Sequence, residues 1–284
     1  MKILHTISEL QGELNVCRSA GKSIALVPTM GALHRGHVSL VERAVAENDI
    51  TVVSIFVNPT QFNDKNDLKN YPRTLEADCA LLESVGATFA FAPEVQEMYP
   101  EPDTRQFSFS PLDEVMEGAC RPGHFNGVAQ IVSKLFYAVE PDRAYFGEKD
   151  FQQLAIIRAM VRQLNFNLEI IGCPIVREDD GLAMSSRNTL LTPAERVRAV
   201  NISRILKQSY EYAKEHTLQE TKQFVENNIT AVDGFILEYF QIVDGYSLQQ
   251  IESWADSNYA VGCIALFCGK IRLIDNIAYV ASDK

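Results

Sequence analysis

The chain has 284 residues, 46% of them hydrophobic and 22% charged, with a formal net charge of −11 at pH 7. That length and balance allow one large or two modest domains with a sizeable core. The negative sum argues against nucleic acid as the main partner, and no apolar run reaches membrane-spanning length.

Taken from the start, Met1-Lys-Ile-Leu-His-Thr lacks a signal-peptide core and cleavage site. The six cysteines (17, 79, 120, 173, 263 and 268) show no C-x-x-C spacing. They are expected to be reduced thiols of a cytoplasmic protein. The first apolar β-type run covers residues 23–27. It hands over to Pro-Thr-Met-Gly-Ala-Leu-His-Arg-Gly-His at 28–37, which opens a helical pattern over 38–48. A strand-to-helix turn presents unpaired backbone N–H groups and the positive end of the helix dipole, a seat for phosphate. Gly36 lets the backbone approach a ligand closely. His34 and His37 can donate hydrogen bonds to phosphate oxygens. Capping of the helix is the ordinary alternative. Zinc also uses histidine pairs, but no third ligand stands at supporting spacing.

Residues 51–57 form a second strand pattern, leading into Asn58-Pro59-Thr60-Gln61. After Tyr-Pro-Arg-Thr at 71–74 comes a helix carrying Asp78. A solvated helix face is the expected place of that carboxylate, with a metal-side role the weaker alternative. Residues 88–92 read as a third strand. Val128, Ile131, Val132, Leu135, Phe136 and Val139 recur at offsets 0, 3, 4, 7, 8 and 11, one face of a helix. The strand run 143–146 leads into Gly147-Glu148-Lys149-Asp150, a further strand-to-helix turn in which Lys149 supplies a compact charge. Leu154, Ile157, Met160, Val161 and Leu164 mark the next helix, and residues 168–172 a fifth strand. These strands are continuous apolar runs, as in a parallel sheet covered on both faces. A ligand is then expected in the crevice at the carboxyl ends of the strands.

After about residue 176 the character changes. Arg177-Glu-Asp-Asp-Gly-Leu-Ala-Met-Ser-Ser-Arg-Asn reads as a polar loop. The hydroxyls of Ser185 and Ser186 and the Arg187 guanidinium suit a polyphosphate whose leaving group gains charge, although a merely solvated loop has the same composition. Thr192-Pro193-Ala-Glu195 starts a helix running to about residue 216. Another helix follows over 218–228, then short strands over 235–243, 259–267 and 270–273. The expected architecture is α/β: a Rossmann-like doubly wound parallel sheet over residues 1–176, with a smaller α+β lid domain over 177–284.

The motifs together resemble the pantoate–β-alanine ligase (pantothenate synthetase) family from end to end. The matching blocks are 28–37, Val-Ser-Ile-Phe-Val-Asn-Pro-Thr-Gln-Phe at 53–62, Tyr-Pro-Arg-Thr at 71–74, Phe-Gly-Glu-Lys-Asp-Phe-Gln-Gln-Leu at 146–154 and Asp-Gly-Leu-Ala-Met-Ser-Ser-Arg-Asn at 180–188. The His-x-Gly-His element alone points only to the wider nucleotidyltransferase and class I synthetase group, in which the Met-Ser-Ser-Arg loop is similar to the K-M-S-K-S loop. The resemblance implies ATP-dependent condensation of pantoate with β-alanine through an enzyme-bound pantoyl-adenylate, giving pantothenate, AMP and pyrophosphate. It further implies Mg²⁺ carried by the ATP phosphates, no metal held by side chains, and a homodimer.

Residue by residue, the expected catalytic groups are His34, His37, Lys149 and Arg187. Met30, Gly31, Ala32, Leu33, Arg35 and Gly36 from the first turn join the ATP site. So do Gly147, Glu148 and Asp150 from the second, with Val176, Met184, Ser185 and Ser186. Gln61 and Gln153 match the family's pantoate-binding glutamines. Asn58 and Tyr71 are added on the pantoate and β-alanine side. His37 is the family's proposed proton donor; because a helix N-terminus disfavours a charged imidazole, neutral hydrogen bonding stands beside that role. A nucleotidyltransferase acting on a phosphorylated substrate would need basic residues where Gln61 and Gln153 stand. A regulator that only binds nucleotide has no need of His34, His37, Lys149 and the Ser-Ser-Arg loop together. A nicotinamide dehydrogenase is disfavoured because no G-x-G-x-x-G follows the first strand.

Overall fold

The apolar runs of the first half become strands of one sheet in the computed structural model, which describes residues 1–63 and 65–280. The chain forms two units. The first comprises Met1–Phe109, Arg121–Glu148 and Gln153–Pro174; the second comprises Ser110–Cys120, Lys149–Gln152 and the chain from Ile175 onward.

In chain order the first part carries β1 (Lys2–Leu4), α1 (Ile7–Ser19), β2 (Ile24–Thr29), α2 (Arg35–Glu47), β3 (Ile50–Ile55), α3 (Lys65–Asn70), α4 (Leu75–Ser84), β4 (Phe89–Phe91) and α5 (Val95–Met98). Then follow α6 (Met116–Cys120), α7 (His124–Val139), β5 (Arg143–Gly147), α8 (Phe151–Gln163) and β6 (Glu169–Cys173). The six strands pair in the order β1-β4-β3-β2-β5-β6, all in parallel. Parallel strands are covered on both faces, so they read as unbroken apolar runs. On one face, Leu40, Val41 and Ala44 of α2 and Leu82 of α4 pack with Val27, Val53 and Ala90 of the strands. The chain winds outward from β2 through β3 to β4, then returns to place β5 on the other side of β2. The switch point of this doubly wound sheet therefore lies between β2 and β5, where such folds bind ligands.

β1, α1 and the short helices α3, α5 and α6 lie outside the expected set. β1 is only three residues long and pairs with β4. α1 opens with a reciprocal cap between Thr6 and Glu9. The helix after the first turn starts at Arg35, ahead of the expected 38.

The second unit carries α9 (Pro193–Ala213), α10 (Leu218–Thr230), β7 (Phe235–Asp244), β8 (Ala260–Cys268) and β9 (Ile271–Val280). Thr192 caps α9 with Glu195 three residues on, as the sequence predicts. The strands form an antiparallel sheet, β7-β8-β9. Phe240, Ile242, Ile264, Leu266 and Leu273 pack with Ala199, Ile202 and Leu206 of α9 and Val225 and Ile229 of α10. β9 runs seven residues past the expected end at 273, because its middle holds the buried polar pair Asp275 and Asn276, which interrupts the apolar pattern. All six cysteines are free thiols, four of them buried. Among the described residues no helix is long and apolar enough to cross a membrane.

Candidate active site

The turn after β2 is built from backbone hydrogen bonds. Thr29 Oγ1 donates to the Ser54 carbonyl (2.6 Å) and accepts from the Gly31 amide (3.2 Å). Gly31 (φ +81°) and Ala32 (φ +50°) both take the left-handed conformation, which costs a residue with a Cβ. The cost is offset by Asp78 on α4. Its Oδ2 accepts from the Ala32 amide (2.9 Å) and its Oδ1 from the Leu33 amide (2.8 Å) and the Thr74 hydroxyl (3.2 Å). Asp78 is 3% exposed. It is buried and not on the expected solvated face: a carboxylate aimed at two turn amides gains more than a hydrated one. The N–H groups of Ala32 and Leu33 are thus used inside the turn.

The two histidines then cap α2 reciprocally. The Gly36 amide donates to His34 Nδ1 (3.1 Å), and the His34 amide donates to His37 Nδ1 (3.3 Å). An imidazole nitrogen that accepts carries no proton, so in each neutral ring the proton sits on Nε2. The rings lie 4.0 Å apart between centroids. Two imidazoles that can each present Nε2–H at the head of a helix suit an anionic ligand. Arg35 pairs with Glu42 on the surface of α2 (2.8 Å).

The turn after β3, Pro59–Gln61, meets the turn after β2 at Gln61 Nε2 and Met30 Sδ, 3.1 Å apart. Asn58 is buried and organises this turn from within. Its Oδ1 accepts from the Tyr99 hydroxyl (2.8 Å) and the Thr60 amide (3.4 Å). Its Nδ2 donates to the Gly127 carbonyl and to Gln61 Oε1, both at 3.1 Å. Gln61 Oε1 is therefore held as an acceptor, and its NH₂ is the end directed to Met30. His124 Nδ1 lies 2.9 Å from the Gln61 carbonyl. Gly127 permits this seating: a Cβ there would meet the Thr60 carbonyl oxygen at 2.4 Å. Tyr71 is buried, edge-on to Phe62.

Gly147 ends β5 beside β2, and the Glu148 amide donates to the Cys173 carbonyl (2.8 Å). Gln153 is half-buried on the first turn of α8 and Asp150 is exposed. The preceding glutamine, Gln152, is buried and spends its amide on the Leu112 and Val115 carbonyls and the Glu117 amide, at 2.7–2.9 Å.

In the second unit the loop after Val176 is a small hairpin. Met184 donates to the Val176 carbonyl (3.0 Å), Arg177 bridges Ala183, and Gly181 (φ +95°) makes the bend. Ser185 Oγ accepts from the Arg187 amide (3.3 Å), capping the turn Ser186–Leu190. Asn188 Nδ2 donates to the Ala183 carbonyl (3.1 Å) and Glu178 Oε1 (2.9 Å). Residues 184–188 are half-buried rather than fully solvated. The Arg177 guanidinium grips Asp275 with two bonds, 2.6 and 2.9 Å. Next to it, Asn276 Nδ2 donates to the Lys149 carbonyl (3.0 Å). Sequence reasoning passed over Arg177, Asp275 and Asn276, although two polar residues inside an apolar strand were a usable signal. Among the described residues no group of three or more His, Cys, Asp or Glu is placed to hold a metal ion.

Comparison with known proteins gives one answer along the whole chain. The family model described as pantoate-beta-alanine ligase matches residues 2–278. A pantothenate synthetase of Bacteroides fragilis (strain YCH46) is 68% identical over 282 residues, covering 99% of this chain and 100% of that protein. A pantothenate synthetase structure from Thermus thermophilus aligns with a TM-score of 0.93 at 45% identity, over 99% of this chain and 100% of the other. A pantoate-beta-alanine ligase from Francisella tularensis, complexed with beta-gamma ATP and beta-alanine, aligns with a TM-score of 0.81 at 35% identity, over 98% of each chain.

Proposed function

The chain belongs to the pantoate-beta-alanine ligase family, and from that premise we propose how its residues carry out the condensation. The enzyme joins pantoate to β-alanine at the expense of ATP. We assign the reaction two steps. The pantoate carboxylate attacks the α-phosphorus, the bond to the bridging oxygen breaks, and pyrophosphate leaves with the electron pair. The β-alanine amine then attacks the acyl carbon and AMP departs.

Such chemistry asks for in-line positioning, stabilisation of charge on the leaving group and exclusion of water from the acyl-adenylate. His34 and His37 take the phosphates through their Nε2–H groups, His37 at the departing oxygen, as proton donor or as hydrogen-bond donor. Lys149, Arg187 and the hydroxyls of Ser185 and Ser186 serve the α-phosphate and the pyrophosphate. Each charge-assisted contact contributes about 1.5–3 kcal/mol. Several made mainly in the transition state supply orders of magnitude in rate. Gln61 donates its NH₂ to pantoate, and Gln153 is the second pantoate amide. Mg²⁺ enters on the triphosphate, whose hard oxygens it prefers.

The observation that carries this reading is the histidine pair at the head of α2, following the strand that borders the switch point. The experiment is ATP–pyrophosphate exchange with β-alanine left out. Exchange that requires pantoate supports the adenylate; exchange indifferent to pantoate overturns it. Residues 1–176 are assigned the binding of ATP and pantoate, and residues 177–284 the role of a lid bearing Arg187. An Arg187→Ala enzyme that forms adenylate at the parent rate would end that assignment. A cytoplasmic location is proposed from the six free thiols, which suit a reducing compartment. A homodimer is proposed from the family resemblance, and sedimentation of the purified enzyme tests it.

A further inference from the structure

We propose that Asp275 and Asn276, adjacent on β9, are positioning residues that set two phosphate-handling segments from one place. The inference rests on the roles given above to Lys149 and Arg187. Asp275 is buried, and its two oxygens are gripped by the Arg177 guanidinium in a fork geometry. Arg177 also donates to the Gly181 carbonyl (3.2 Å) and pairs with Ala183 across the hairpin. The root of the loop that presents Ser185, Ser186 and Arg187 is thereby fixed to β9. One residue further, the Asn276 side chain holds the Lys149 carbonyl. Neither β9 residue carries the charge that catalysis needs. Each instead fixes the backbone from which such a charge projects.

A buried acid and a buried amide in the middle of a strand are expensive unless partnered. Aliphatic residues would serve the strand and its packing equally well. The polar choice gains geometry: a carbonyl and a guanidinium some hundred residues upstream are brought into fixed relation. An error of about 1 Å in such a placement costs on the order of a hundredfold in rate.

The test measures single-turnover adenylate formation by full-length enzyme. Asn276→Ala is expected to slow that step by about tenfold or more while the KM for pantoate stays within about threefold. Combined with Lys149→Ala it is expected to add little to the loss in adenylate formation, because the proposed effect on that step passes through Lys149. Losses that multiply, or an Asn276→Ala enzyme at parent speed, overturn the proposal. A Lys149→Ala enzyme at parent speed would instead sink the role of Lys149 itself, which that single variant reports separately. Asp275→Asn alone leaves the half-buried Arg177 guanidinium without its carboxylate and risks misfolding. The paired replacement Arg177→Met with Asp275→Leu removes both charges; it is expected to melt near the parent temperature yet form adenylate about tenfold more slowly. A folded double variant at full speed would refute the part given to Asp275.

Discussion

Ala32 and Asp78 lie 46 residues apart, and the amide of the first donates to the carboxylate of the second at 2.9 Å. That bond and its companion from Leu33 hold a left-handed stretch of backbone directly ahead of the two histidines. Asp78→Asn keeps the shape but turns an NH₂ toward an N–H. It is expected to cost about 1–3 kcal/mol in urea denaturation, the range for a stranded buried donor. Adenylate formation is expected to fall as well, since the turn loses its fixed path.

The histidine pair does two jobs that one substitution separates. Asn at position 34 can still accept from the Gly36 amide, because Asn is among the best N-cap residues, but it has no atom where Nε2 stood. His34→Asn is expected to leave the melting temperature nearly unchanged while slowing adenylate formation by about 10²–10³-fold. Stopped-flow detection of pyrophosphate and a thermal scan on the same sample decide this.

Gly127 marks a close approach. A methyl group there would collide with the Thr60 carbonyl at 2.4 Å and with Gln61 Cα at 2.8 Å. Gly127→Ala is expected to push the 59–61 turn outward. Its stability cost should be about 1–3 kcal/mol, as for overpacked sites. Steady-state kinetics should show a raised KM for pantoate, with the KM for ATP less affected.

Acid stability has a named contributor. The hydrogen-bonded Arg105 guanidinium holds the Asp103 carboxyl well below its usual range, at about 2. A carboxylate favoured in the folded state stabilises fully above its unfolded value and loses that contribution as pH falls through the folded one. Stability should therefore decline between about pH 4 and pH 2. In Asp103→Asn that stretch of the curve should flatten, with lower stability near neutrality, as measured by urea midpoints across pH.

Five of the six strands of the parallel sheet were legible because strands buried on both faces leave continuous apolar runs. β1 was not, since three residues are too few to carry a pattern. α1 was not read either, although Thr6 and Glu9 stand at capping-box spacing. The candidate catalytic groups could be named because His, Lys and Arg are chemically marked, whereas Gln61 and Gln153 were named only through the family resemblance. What supports these side chains was not legible. Asp78 reads as one more acid on a helix until the amides it binds are seen. Asn58 reads as a substrate contact until its donor and acceptor atoms are found engaged with Gln61, Gly127, Thr60 and Tyr99. Asp275 and Asn276 acquire meaning only from partners near residues 149 and 177.

The strand order has a consequence for synthesis on the ribosome. Until Arg143 emerges, β2 is an edge strand, with a row of N–H and C=O groups open to pairing by a neighbouring chain. At typical elongation rates, roughly six to twenty-five seconds separate the appearance of β2 from that of β5. The nascent enzyme spends that interval with its future ligand crevice bounded on one side only, and its dependence on chaperones should be greatest then.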